Sequence, residues 1–173
     1  GPVTVTYNAT QQAIQIDSQP INPPSLSIII PSRDHAALLA ACLGSLYALT
    51  DYPDYEVIIV DNASTERDVH QLYDEYRRAH ANFRVVAYDE LFNFSAACNR
   101  GAKAATGDIL VFLNNDTEIY HADWLQRLSR WFAVPGVGVV GPKLLYPDGT
   151  IQHAGVAFGI IDIADHLFLG VEE

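Results

Sequence analysis

The stretch Gly107-Asp108-Ile109-Leu110-Val111-Phe112-Leu113-Asn114-Asn115-Asp116 decides the reading of this chain. An apolar run of strand length ends abruptly in three residues with oxygen-bearing side chains. A parallel strand covered by helices on both faces reads as such a continuous apolar run. In open α/β sheets, ligands sit at the carboxyl ends of the strands. Two side-chain amides and a carboxylate at that point can reach a hard cation and the phosphate oxygens it carries. The same three residues could instead form a turn that caps the next helix, and the stretch alone leaves both readings open.

Strand and helix patterns alternate on either side of it. Leu26 to Ile30 is a predicted strand stopped by Pro31. Residues 36 to 49 predict a helix with Leu38, Leu39, Cys42, Leu43 and Leu46 on its apolar face, and Asp34 as a candidate cap. Glu56 to Val60 is the next predicted strand, followed by a charged amphipathic helix from Thr65 to Ala79. Phe83 to Tyr88 predicts a strand and Ser95 to Ala105 a small-residue helix. The strand Ile109 to Leu113 follows, then a helix from Ala122 to Phe132 with Trp124, Leu128, Trp131 and Phe132 facing the core. This alternation implies βαβ units and a parallel sheet.

The two ends differ from this body. Val3 to Tyr7 and Ala13 to Ile16 read as short strands before a linker marked by Pro20, Pro23 and Pro24. Residues 1–24 are therefore an expected arm, with Gly1-Pro2 read as the scar of a cleaved tag, and 25–173 the main domain. After Gly136, Val137 to Val140 predicts a short strand. Lys143 to Tyr146, Pro147-Asp148-Gly149 and Thr150 to Gln152 predict a hairpin with an Asp-Gly turn. Residues 155 to 173 are poorly patterned, and the domain is expected to be incomplete at its carboxyl end.

With 173 residues and 49% of them apolar, the chain can bury a sizeable core. No apolar stretch approaches the roughly 20 residues that span a bilayer. No signal-peptide pattern opens the chain. A net charge of −11 argues against a nucleic-acid binder. It leaves room for a phosphorylated small molecule, because a bound cation reverses the local sign. Cys42 and Cys98 are too few for a disulfide framework or a zinc site, and they fit a reduced, cytoplasmic setting.

Three polar clusters follow three predicted strands: Pro31-Ser32-Arg33-Asp34, Asp61-Asn62-Ala63-Ser64 and Asn114-Asn115-Asp116. In a parallel sheet these strand ends share one edge, so the clusters are expected to converge. Each also has a plainer reading, as a βα loop or a helix cap. No Gly-x-Gly-x-x-Gly follows the first strand of the sheet, which disfavours a dinucleotide site, and no Walker A pattern occurs. No Gly-x-Ser-x-Gly elbow occurs either.

Four runs together carry a resemblance. They are Leu26 to Asp34, Glu56 to Ser64, Asn93 to Gly101, and Thr106 to Asp116. In this order they resemble family 2 glycosyltransferases of the GT-A fold. Gly141 to Gly149 is similar to the bacterial rhamnosyltransferase-like branch. The resemblance covers residues 26 to 158. It implies a Rossmann-like, mostly parallel sheet with helices on both faces. It also implies inverting transfer of a sugar from a nucleotide-diphosphate donor to a polysaccharide or lipid-linked glycan.

Site roles follow from the same resemblance. Pro31, Ser32, Arg33, Asp61, Asn62, Asn99 and Asn115 are implied nucleotide-sugar contacts, with Asp61 meeting the base of a UDP- or dTDP-sugar. Asp116 is the implied ligand of a manganese or magnesium ion. Asn114 departs from the family's Asp-x-Asp pattern, which puts cation affinity on Asp116 and the diphosphate. The family's general base has no counterpart here and is expected beyond residue 173, which would leave this chain catalytically impaired. His153 beside the hairpin could face an acceptor or simply pack. A non-catalytic nucleotide-binding or scaffold module is the alternative. An incomplete fold is expected to expose apolar surface that favours self-association, and action is expected in the cytoplasm or at the inner face of the membrane.

Overall fold

The computed structural model describes residues 3–8, 13–18, 22–158, 164–166 and 168–172. Two compact units divide the chain, Gly1–Arg130 and Trp131–Glu173. In the first, β1 (Val3–Asn8) pairs antiparallel with β2 (Ala13–Ser18). There follow β3 (Leu26–Ser32), α1 (Ala36–Leu49), β4 (Tyr55–Asp61), α2 (Arg67–Ala79), β5 (Phe83–Ala87), α3 (Phe94–Ala104), β6 (Ile109–Phe112) and α4 (Trp124–Ser129). A 3-10 turn, Arg130–Ala133, leads out of the unit.

β3 to β6 form a parallel four-stranded sheet in the order β5-β4-β3-β6. Alternate side chains leave opposite faces of a strand. Ile28, Ile30, Val57 and Ile59 therefore pack with Leu39, Cys42, Leu43 and Leu46 of α1 and with Val69 and Tyr73 of α2. Ile29, Ile58 and Val60 face the other way, against Ala97 of α3. The small residues of α3 let it lie close to the sheet. A Cβ on Gly101 would stand inside van der Waals contact of Ile29 Cγ2 and 2.9 Å from Val60 Cγ2.

The expectation that β6 is covered on both faces is corrected. Ile109 and Val111 join the α1–α2 core, but Leu110 and Phe112 are 40% and 50% exposed. α3 packs over β3, β4 and β5, and β6 ends the sheet. An apolar run reads alike whether one or both of its faces are covered. Leu38 also departs from expectation, exposed on α1 while Leu39, Cys42, Leu43 and Leu46 are buried. α4 is shorter than its pattern suggests and buries Leu125 rather than Leu128.

The amino edge of the sheet is tied by one carboxylate. Glu56 Oε1 accepts from Ser27 Oγ at 2.6 Å, Thr106 N at 2.7 Å and Thr106 Oγ1 at 2.8 Å. Glu56 Oε2 accepts from Arg84 Nε at 2.9 Å and Nη2 at 2.7 Å. Arg84 also donates to the Ala104 carbonyl at the end of α3. Residues from β3, β4, β5 and the approach to β6 thus meet at one side chain.

In the second unit, β7 (Leu144–Leu145) pairs antiparallel with β8 (Ile151–His153) around the expected Asp148-Gly149 turn, where Gly149 has φ +87°. β9 (Val156–Phe158) pairs with β10 (Ala164–His166). Val137 to Val140 forms no strand, correcting the sequence expectation. Val139 is almost fully exposed, and among the described residues no strand pairs with this segment. His153 lies in β8.

Candidate nucleotide-binding cleft

The strand order reverses at β3. From it the chain runs to β4 and β5 on one side and returns to β6 on the other. The carboxyl ends at such a reversal open a crevice. Here it is a cleft of about 540 Å³ lined by Pro31, Ser32, Arg33, His35, Phe92, Phe94, Asn114, Asn115 and Asp116. The first and third polar clusters therefore meet although 83 residues separate Ser32 from Asn115.

The loops after β3 and β4 are latched to each other. Asn62 N donates to Ser32 O at 2.9 Å, and Asp34 N donates to Ser64 Oγ at 2.8 Å. Asp34 was expected to cap α1. Its Oδ1 instead accepts from Thr65 N at 2.7 Å and Glu66 N at 3.0 Å, at the start of α2. Glu66 Oε2 reciprocates by accepting from Ala36 N at 3.3 Å, in the first turn of α1. The exchange requires left-handed backbone at Asp34 (φ 51°), His35 (φ 57°) and Ala63 (φ 52°). Asp tolerates that region better than most residues, whereas Ala63 is held there by the surrounding bonds. The Glu66 and Thr65 N–H groups hold the Asp34 carboxyl below the usual carboxylate range.

The sheet register sets Ser32 beside Asp61. Asp61 Oδ1 accepts from Tyr73 Oη at 3.0 Å and Ser64 N at 3.4 Å. Asn62 is 2% exposed, and its Nδ2 donates to Tyr88 O and Glu90 O, both at 2.8 Å. Those bonds tether the segment that carries Phe92. Its Oδ1 is buried and, among the described residues, accepts from none. Asp61 and Asn62 adjoin the cleft without lining it.

After β6, Thr117 N donates to Asn114 O at 3.3 Å, so the third cluster is indeed a turn. It caps no helix, because α4 begins at Trp124 with Asp123 as its first flanking residue. Asn115 Nδ2 donates to Ser32 Oγ at 3.2 Å, joining the β6 loop to the β3 loop. Asn114 and Asp116 are exposed at the cleft. Among the described residues no group of three His, Cys, Asp or Glu side chains could hold a metal ion. The donors present are one carboxylate and amide oxygens. These hard ligands fit magnesium or manganese when a ligand's own oxygens complete the shell. Cys42, whose Sγ reaches Asn114 O at 3.7 Å, is no nucleophile: burial, with the Asp116 charge added, pushes its thiol up to about 12.

Pro31, Ser32, Arg33, Asn115 and Asp116 are thus brought to one cleft. Asn99 is exposed on α3 and does not line it. His35, Phe92 and Phe94 line it and were not read from sequence. The signal for the aromatic pair was faint: two rings flank Asn93, whose side chain caps α3 through Ala96 N at 2.9 Å.

Comparison with known proteins matches this arrangement. Residues 27–157 match the model of glycosyl transferase family 2. The O-antigen biosynthesis protein RfbC of Myxococcus xanthus is 41% identical over 150 residues, 87% of this chain and 12% of that protein. The glycosyltransferase AglE of Haloferax volcanii is 33% identical over 130 residues, 73% of this chain and 42% of that protein. This chain therefore spans less than half the length of either relative. Among solved structures, the mannosyltransferase PcManGT of Pyrobaculum calidifontis, in complex with GDP-Man and Mn2+, superposes with a TM-score of 0.62. It is 29% identical, and the match covers 68% of this chain and 35% of that one. TarS of S. aureus, residues 1–349 with UDP-GlcNAc, shares the fold at a TM-score of 0.54 and 23% identity, over 70% of this chain and 40% of that one. The α/β architecture is that of the GT-A type, and the chain belongs to glycosyl transferase family 2.

Proposed function

We propose that this chain is the donor-binding portion of an inverting glycosyltransferase that takes a sugar from a UDP- or dTDP-sugar. The observation that carries the reading is the cleft at the strand-order reversal, where Ser32 and Arg33 face Asn115 and Asp116. Ser32 is fixed by Asn115 and offers its hydroxyl to the nucleotide. Arg33, with Pro31 shaping its loop, meets the diphosphate charge. Asp61 reads the base and Asn62 holds the wall beside it. Asp116, with the diphosphate's own oxygens, would hold magnesium or manganese, and the cation would supply Lewis acidity to the leaving diphosphate. The manganese in the PcManGT complex supports the cation.

The acceptor in this reading is a bacterial surface polysaccharide or lipid-linked glycan, supported by the likeness to the O-antigen biosynthesis protein. The likeness of Gly141 to Gly149 to rhamnosyltransferase-like sequences supports a deoxyhexose donor. The site of action is the cytoplasm or the inner face of the membrane. Among the described residues no helix is long and apolar enough to cross a membrane. A second reading, a non-catalytic nucleotide-binding module, is favoured by Asn114 alone, which weakens the acidic pair.

Isothermal titration of UDP and dTDP, with and without manganese, tests the proposal on wild type and Asp116→Ala. The expected result is binding that needs the cation and is lost in the variant. Cation-independent binding, or binding unchanged in Asp116→Ala, would remove the metal-assisted donor site.

A further inference from the structure

Tyr73 lies on α2, four residues after Val69, and both are turned into the core beneath the loops. It is 2% exposed. Its ring is buried, yet its hydroxyl ends in a polar pocket. The hydroxyl donates to Asp61 Oδ1 at 3.0 Å, and Ser64 and Ser32 are its other polar neighbours. Burial, and then the Asp61 charge, push the phenol far above its ordinary value, so the proton stays on the tyrosine. Ser64 N reaches the same Oδ1 at 3.4 Å. Among the described residues, no donor reaches Asp61 Oδ2.

We propose that Tyr73 is a positioning residue for base selection: its hydroxyl fixes the Asp61 carboxylate so that Oδ2 is held out to accept the ring N–H of a uracil or thymine base. The proposal rests on the reading of Asp61 given above. A carboxylate free to rotate can turn either oxygen to a ligand or to water. One anchored through Oδ1 presents Oδ2 in a single direction at no further ordering cost on binding. Cytosine carries an acceptor at the ring position where uracil carries N–H. The anchored carboxylate therefore attracts one base and opposes the other.

The test is the affinity of UDP and of CDP, with saturating manganese, for wild type, Tyr73→Phe, Asp61→Asn and the double variant. Tyr73→Phe keeps the ring and removes only the hydroxyl, and thermal melting checks that it folds. Wild type is expected to favour UDP. Tyr73→Phe should cut UDP affinity about tenfold, the scale of one charge-assisted hydrogen bond, and leave CDP unchanged. In the Asp61→Asn background the tyrosine change should alter the UDP-to-CDP ratio no further. Equal losses for both nucleotides in Tyr73→Phe would show a merely structural tyrosine and overturn the proposal. A ratio narrowed by Asp61→Asn but untouched by Tyr73→Phe would overturn the role of Tyr73 alone. A ratio untouched by Asp61→Asn would overturn the base-reading role of Asp61 and the proposal with it.

Discussion

Replacing Glu56 by Gln should destabilise the chain at neutral pH, and the loss should fade in acid. Burial pushes the Glu56 carboxyl up. The hydrogen bonds from Ser27, Thr106 and Arg84 outweigh that and hold it at about 2, below the ordinary 4.5. At about 1.4 kcal/mol per unit, the displacement is on the order of 3 kcal/mol. Arg84 is 39% exposed, so solvent screening trims this to about 2 kcal/mol. Because the folded state lowers this pKa, the stabilisation is complete above pH 4.5 and disappears as pH falls toward 2. Gln also places an amide NH2 among donors, where it cannot accept. Urea unfolding of both proteins at intervals from pH 7 to pH 2.5 reads the effect. Asp34, Asp123 and Asp148 are lowered in both proteins, so the gap between the two curves isolates Glu56. A gap that stays constant with pH, or no gap at pH 7, would refute the reasoning.

Gly101→Ala should cost about 1–3 kcal/mol in urea unfolding, because the added methyl meets Ile29 and Val60 across the α3 interface. An unchanged midpoint would mean that α3 can shift without loss. Asp34→Ala should lower both melting temperature and nucleotide affinity, since it releases the start of α2 and unlatches the two cleft loops. Asp34→Asn, which keeps an accepting oxygen, should recover most of both. Equal defects in the two variants, by calorimetry and titration, would point to the charge rather than the bonds.

The βαβ order was legible because apolar runs and 3.6-residue spacing are local properties of the chain. The Asp148-Gly149 turn was legible for the same reason, a short-range chemical signature. The partners of Asp34 were not, since Glu66 and Thr65 reach it only after β3 and β4 align. Local spacing favoured a cap on the nearest helix, and tertiary placement gave it to the next one. The open face of β6 escaped because sheet order, rather than the sequence of β6, decides which strand is left at the edge. Tyr73 was hidden among the charges of α2, which its sequence announces only as a charged amphipathic helix. Glu56 looked like the polar start of a strand. Its importance lies in Arg84 and Thr106, 28 and 50 residues away. Of the cleft, the polar clusters could be read directly, whereas Phe92 precedes α3 and Phe94 only opens it, so neither belongs to an apolar stripe that would announce it.

Glu56 knots the amino ends of the strands, and the cleft opens at their carboxyl ends. Along the seven-residue strands β3 and β4 the two ends lie about 20 Å apart. A change of side chain at the cleft rim therefore leaves the knot untouched. Arg33, His35, Phe92 or Asn114 can be exchanged while β3 to β6 keep their alignment. This geometry gives the cleft room to change its lining by drift, one rim residue at a time, without first losing the fold.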